Sequence, residues 1–176
     1  MRFIPLDLAD AFVIELEPVN DDRGWFARSW SREEFAARGL DVQLDQCSIS
    51  FNQGKGTLRG MHFQAPPHAE TKLVRCTAGA IYDVIIDLRE DSPTRGRWSS
   101  VELSASNRKS LYVPKDFAHG FQTLTDRAEV FYQISRPYVP SAARGVRWND
   151  PRFGIEWPIR DPILSPRDAA YPDFAS

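Results

Sequence analysis

Short runs of β-type residues, each closed by glycine, proline, asparagine or aspartate, recur along most of this chain. "AFVIELE", "KLVRCTAG", "AIYDVIIDLR", "WSSVELS", "KSLYVP", "GFQTL" and "EVFYQIS" succeed one another with turn signals at intervals of about ten residues, the spacing of a β-sandwich or barrel. Thirteen prolines gather mainly at run ends and in the last third. Proline cannot donate to a strand ladder and breaks helix interiors, so this placement favours short strands over helices. One stretch reads as helix, "SREEFAARGL". Ser31 caps it, Glu34 sits three residues on in a capping-box arrangement, Gly39 stops the turn, and Phe35 and Leu40 anchor it. "QLDQCSISFNQGKG" reads as a loop. The tail "NDPRFGIEWPIRDPILSPRDAAYPDF" is too proline-rich for long elements and is expected to wrap the barrel as irregular segments with short helical turns.

A chain of 176 residues supports one substantial core, so residues 1–176 are expected to form a single domain, and no internal repeat divides them. Hydrophobic content of 42% with 26% charged residues excludes wholesale disorder. A formal net charge of −2 offers no global attraction to nucleic acid or an anionic membrane, and neither is expected as a partner. An anionic ligand would need a local cluster of cations. No apolar run approaches a membrane span, and "MRFIPLDLADAF" carries two aspartates where a signal peptide is apolar, so a cytoplasmic location is expected. Cys47 and Cys76 lack metal-ligand spacing and are expected to be free and buried.

Alternate residues of a strand face opposite sides, which makes parity informative about function. Lys72 shares a face with Val74 and Cys76. It is either a strand-end lysine whose ammonium snorkels to water or an interior cation in need of an anion. Asp83 aligns with Ile81 and Ile85 on a run apolar on both faces, so that strand is expected to be covered on both sides and Asp83 to need a partner. Tyr132 lies with Val130 and Ile134, and His119 alternates with Phe117 and Phe121; either can be a packed core residue with a satisfied polar atom. Arg59 and His62 fall on opposite faces of an ideal strand. A bulge at Gly60 is required to bring them to one side.

"DDRGWFARSW", "GTLRGMHFQ", "KLVRC", "DVIIDLREDSPTRGRW", "YVPKDFAHGF", "VFYQISRPYVP", "WNDPRFGIEWP" and "LSPRD" occur in this order. Together, from about residue 12 to about residue 172, they resemble the dTDP-4-dehydrorhamnose 3,5-epimerase family of the cupin superfamily. The resemblance implies an all-β, cupin-type jelly-roll barrel without metal or other cofactor, and a homodimer that exchanges N-terminal strands. It implies a nucleotide-diphosphate 4-keto-6-deoxyhexose as substrate, with protons removed at the carbons beside the C4 ketone. Such chemistry needs a base, an oxyanion stabiliser and an acid on the opposite face. By the family's motifs, His62 is the base and Asp168 its partner, Lys72 stands at the C4 oxyanion, and Tyr132 is the acid. Tyr138 matches a residue near the sugar. Arg23, Arg59 and His119 match groups that bind diphosphate or sugar, and Phe26 belongs to the same substrate-binding set. Asp83 is assigned to holding Lys72 or a neighbour in place.

The match departs at a few positions. Phe26 is followed by Ala27 and Arg28 where typical members carry a glutamate near the nucleobase. The family's Gln and Asn upstream of the base align with Leu44 and Gln46, or with Asn52. Which nucleobase the substrate carries, and whether one centre or two is inverted, stays open on the sequence. Two other classes compete. A metal-dependent cupin oxygenase would use His62, Glu70 and His119, but Gln64 stands where its second histidine belongs. A non-catalytic sugar-nucleotide-binding module would be favoured by loss of the base, its aspartate or the acid, and all three are present.

Overall fold

A computed structural model describes residues 1–174. Two antiparallel sheets pack face to face. The first runs in the order β1 (Arg2–Pro5), β2 (Phe12–Glu15), β10 (Ser110–Val113), β7 (Lys72–Ala78), β12 (Ala128–Ile134) and β5 (Gln46–Asn52). The second runs β13 (Ala143–Gly145), β6 (Leu58–Gln64), β11 (Phe117–Thr123), β8 (Ala80–Asp87) and β9 (Trp98–Ser104). A hairpin of β3 (Val19–Asp21) and β4 (Gly24–Phe26) pairs only with itself. From β6 to β13 the chain crosses repeatedly between the sheets, as in a cupin jelly roll. Residues a few positions apart in sequence therefore arrive on opposite walls.

The parity reading holds. Val74, Cys76, Leu111 and Val130 meet Ile81, Ile85, Phe117 and Phe121 between the sheets. β8 is covered on both sides, since its outward Val84 and Ile86 pack with Met61, Ala118 and Phe153 under the tail. On the far side of the first sheet, the helix α1 (Arg32–Ala36) sets Phe35 against Ile14, Leu73 and Tyr112, with Leu40 packed alongside. The Ser31 hydroxyl accepts from the Glu34 amide at 3.4 Å, but the capping box is only half made. The Glu34 carboxylate turns instead to Arg28 and the Met1 ammonium, and the helix closes earlier than "SREEFAARGL" suggests, with Gly39 in the turn beyond it at φ +70.

Two expectations are corrected. Half of the stretch read as a loop before residue 57 is strand β5, an edge strand paired with β12. Its polar residues face inward, while Ile49 and Phe51 stand outside, 64% and 48% exposed. Cys47 lies on that outer row and is exposed rather than buried. Both cysteines are free; Cys76 is buried, and burial pushes its thiol up to about 11. The tail is irregular as expected, with one short helical turn, α2 (Pro166–Ala169).

Candidate active site

The bulge required to bring Arg59 and His62 together is present. On β11, His119 and Phe121 lie two residues apart, yet they register with His62 and Arg59, which lie three apart on β6. The extra residue lets both side chains reach the same cleft. Gly60 makes it possible: its φ is +154, and a Cβ there would lie 2.6 Å from the Cα of Gly120.

An inner chamber of about 270 Å³ opens between the sheets, lined by Ser48 and Ser50 of β5, Arg59 and His62 of β6, Lys72 of β7, His119 and Phe121 of β11, and Tyr132 and Ile134 of β12. Arg59, His62, Lys72 and Ile134 also line an outer compartment of about 360 Å³, where Gln46, Glu70, Arg136, Tyr138, Arg144, Arg167 and Asp168 join them. A larger hollow of about 670 Å³, bounded by Leu88, Arg89, Asp116 and Phe174 among others, contains none of the residues singled out in the sequence.

His62 Nε2 lies 2.8 Å from Asp168 Oδ1. Asp168 is delivered by α2, whose N-cap Ser165 accepts from the Asp168 amide at 3.1 Å, with Pro166 opening the turn. Burial works against the Asp168 charge, but the His62 hydrogen bond and charge, aided by the Gly60 amide, hold the carboxyl below its usual range. His62 and the Tyr171 ring pack edge to face, centroids 5.7 Å apart.

Lys72 is interior rather than snorkelling, with its side chain 12% exposed. Its ammonium meets Glu70 Oε1 at 3.1 Å and donates to the His62 carbonyl at 3.3 Å. Asp83 is therefore not the lysine's partner. It is fully buried and lies 2.5 Å from His119 Nε2, because β8 and β11 are neighbours in one sheet while Lys72 stands on the other. Tyr132 packs edge-on to that histidine at 6.2 Å between centroids. Burial first, and then the Asp83 charge, push the phenol's pKa well up, with Arg59 opposing.

The loop that sequence left ambiguous is a set of inward props. Asn52 accepts from Arg59 Nε at 2.7 Å, and Gln46 accepts from the Tyr138 amide at 3.1 Å. Leu44 precedes the strand and is partly exposed. Arg23 and Phe26 do not line the cleft of their own chain. They sit on the β3–β4 hairpin, where Arg23 pairs with Asp21 and Phe26 is 79% exposed. Sequence reasoning missed Arg136, Arg144 and Arg167, which with Arg59 give the outer compartment four guanidiniums. The neighbourhood of Tyr138 and Asp168 was the available signal for two of them. Such a cluster suits a phosphate-bearing ligand on a chain of net charge −2.

The residues a metal-dependent cupin would use are engaged otherwise. Gln64 donates to the carbonyls of His68 and Pro137 and accepts from the Val139 amide, so it ties loops together. His119 is held by Asp83, and Glu70 by Lys72. No group of three or more His, Cys, Asp or Glu side chains suited to a metal occurs among the described residues. No helix there is long and apolar enough to cross a membrane.

A family model described as dTDP-4-dehydrorhamnose 3,5-epimerase matches residues 5–176. A relative from Shigella flexneri, a dTDP-4-dehydrorhamnose 3,5-epimerase, is 41% identical over 169 residues, covering 96% of this chain and 93% of its own. The crystal structure of dTDP-4-dehydrorhamnose 3,5-epimerase from Bacillus anthracis, with TDP and PPi bound, matches at TM-score 0.95 and 42% identity, over 98% of this chain and 99% of that one. That of a dTDP-6-deoxy-D-glucose-3,5-epimerase from Legionella pneumophila, in complex with dTDP-4-keto-L-rhamnose, matches at 0.91 and 34%, over 98% and 92%. By sequence and fold alike, this chain belongs to the dTDP-4-dehydrorhamnose 3,5-epimerase family.

Proposed function

We propose that the cleft inverts C3 and C5 of a dTDP-linked 4-keto-6-deoxyhexose, turning the dTDP-4-dehydro-6-deoxyglucose type into the dTDP-4-dehydrorhamnose type. The chain is an isomerase of this epimerase family, and the Bacillus and Legionella relatives hold TDP and a dTDP-4-keto sugar. Epimerisation beside a ketone moves protons and no net electrons, so acid–base groups suffice. With Nε2 committed to Asp168, His62 keeps Nδ1 to take a proton from the carbon beside C4. Lys72 stabilises the oxyanion that forms at C4. Tyr132 returns a proton from the other side, which inverts the centre. Arg59 and the neighbouring guanidiniums bind the diphosphate, Tyr138 lies along the sugar, and the Asp83–His119 pair orients a sugar hydroxyl.

The observation that carries this reading is that His62 and Tyr132 project from opposite sheets into one chamber. The active form in this proposal is a homodimer with exchanged N-terminal strands, in which Arg23 and Phe26 of one copy reach the cleft of the other. Support comes from the hairpin's exposed Val19, Trp25 and Phe26 and from the bare apolar row on β5, surfaces a monomer rarely leaves open.

The test is wash-in of solvent deuterium. Incubated with dTDP-4-dehydro-6-deoxyglucose in heavy water, the protein should exchange both C3 and C5 protons by NMR, and His62→Ala should abolish exchange. Ligand-induced shifts without exchange would leave only a binding module, and exchange at a single carbon would reduce the reading to a single-centre epimerase.

A further inference from the structure

The ammonium of Lys72 ends a flexible side chain, and nothing in β7 itself fixes where it points. Two contacts do. One is to Glu70 Oε1 at 3.1 Å and the other to the backbone carbonyl of His62 at 3.3 Å. An ammonium has three N–H donors in a tetrahedral array; the His62 carbonyl takes one, and the Glu70 carboxylate holds the head by charge. Lys72 lines both compartments of the cleft, so an N–H that the carbonyl does not take is available to a ligand there.

Glu70 is itself held. Residues 70 and 72 are two apart in extended chain and share a face. The Thr71 amide between them donates to Ser135 Oγ at 2.9 Å, and the Thr71 carbonyl accepts from the Ser135 amide at 3.1 Å. The Glu70 side chain is only 7% exposed, and its Oε2 is buried without a hydrogen-bond partner among the described residues. A buried carboxylate with an unmet oxygen is a liability to folding, so stability alone is a poor account of its presence.

We propose that Glu70 is the positioning residue of this active site, fixing the Lys72 ammonium beside His62 so that an uncommitted N–H meets the oxyanion forming at C4 of the sugar. The proposal rests on the oxyanion role given to Lys72 above. Glu70 touches no reacting atom and acts only through the lysine.

A double-mutant cycle on turnover tests it. Glu70→Gln keeps the shape but not the charge, and Glu70→Ala removes the contact. Each should lower kcat roughly ten- to hundred-fold, the scale of a misaimed catalytic group, while KM for the sugar nucleotide stays within about three-fold. Lys72→Met should lower kcat at least as far, and adding either Glu70 change should cost nothing more, because the two residues act as one unit. Normal kcat in Glu70→Gln and Glu70→Ala, or an effect fully additive with Lys72→Met, overturns the inference. So does an unchanged KM-to-kcat balance accompanied only by a lower melting temperature, the mark of a structural pair. Unchanged turnover in Lys72→Met alone strikes instead at the oxyanion assignment, and Glu70 falls with it. Should Glu70→Ala not fold, Glu70→Gln alone carries the test.

Discussion

A phenol donates a proton to carbon only if it still carries that proton when the enolate forms. Tyr132 meets this condition through its surroundings. Burial and the Asp83 charge both penalise its ionised form, so it stays protonated far above neutral pH. A carbon beside a ketone is a much weaker acid than a phenol, so the transfer runs downhill. Replacing Tyr132 by Phe keeps the ring among Val130 and its neighbours and deletes the proton. In Tyr132→Phe, deuterium should still enter from the His62 side, while inverted product falls by roughly 10²- to 10⁴-fold, the usual weight of a general acid. NMR of the same sample measures both, and wild-type product formation would remove Tyr132 from the acid role. Parity in "KLVRC", "AIYDVII" and "VFYQIS" put Lys72, Asp83 and Tyr132 on apolar rows, and left open whether the Lys72 ammonium stays inside. Partners were harder to read. Asp83 goes to His119 because strand order decides which inward residues are neighbours, and a two-residue period carries no information about strand order; Lys72 goes to Glu70, two residues before it on the same face.

At the scale of elements, the proposed base His62 depends on a tail that has little regular structure. α2 is four residues long, yet its cap, its proline and the Asp168–His62 bond fix it against β6. Three residues after Asp168, Tyr171 lies against His62 and directly over Gly145, which registers with His62 on β13. A Cβ on Gly145 would stand 2.4 Å from Tyr171 Cζ, so an alanine there forces the ring to move. Gly145→Ala should cost about 1–3 kcal/mol of stability, as overpacking does, and should lower turnover as the tail and Asp168 shift. In a Tyr171→Ala background the same glycine change should be nearly silent, because the clash has gone. Chemical denaturation and kcat on the four proteins check this; equal costs in both backgrounds would mean that Tyr171 is not what Gly145 accommodates. The "LSPRD" motif made Asp168 visible in sequence, whereas Gly145 and Tyr171 carry no motif and matter only by proximity. β5 escaped for a different reason. "QCSISFN" alternates, but its apolar side faces out and its polar side faces the cleft, the reverse of an ordinary barrel strand.

For the molecule as a whole, turn spacing and proline placement pointed to a β-sandwich or barrel, since they depend on local chain chemistry, and the family resemblance chose the barrel. What they could not specify is how apolar surface is covered outside the chain. Ile49 and Phe51 stand in a row on an edge strand, and the hairpin presents Val19, Trp25 and Phe26 to solvent. An open edge of this kind pairs or aggregates unless something covers it. The proposed second copy would resolve both difficulties at once, by burying the β5 row and by carrying Arg23 and Phe26 to a cleft that they do not line in their own chain. A charge on the row should separate these consequences from folding. Ile49→Asp faces outward, so the barrel core is untouched and far-UV circular dichroism should match wild type. Sedimentation should then report one chain where wild type gives two. Activity should fall with it, chiefly through a raised KM, since the hairpin's contribution is to binding and the His62, Lys72 and Tyr132 machinery stays within each barrel. A variant that sediments as one folded chain with wild-type KM would detach Arg23 and Phe26 from the site, and a wild-type protein that sediments as a monomer would remove the exchanged dimer altogether.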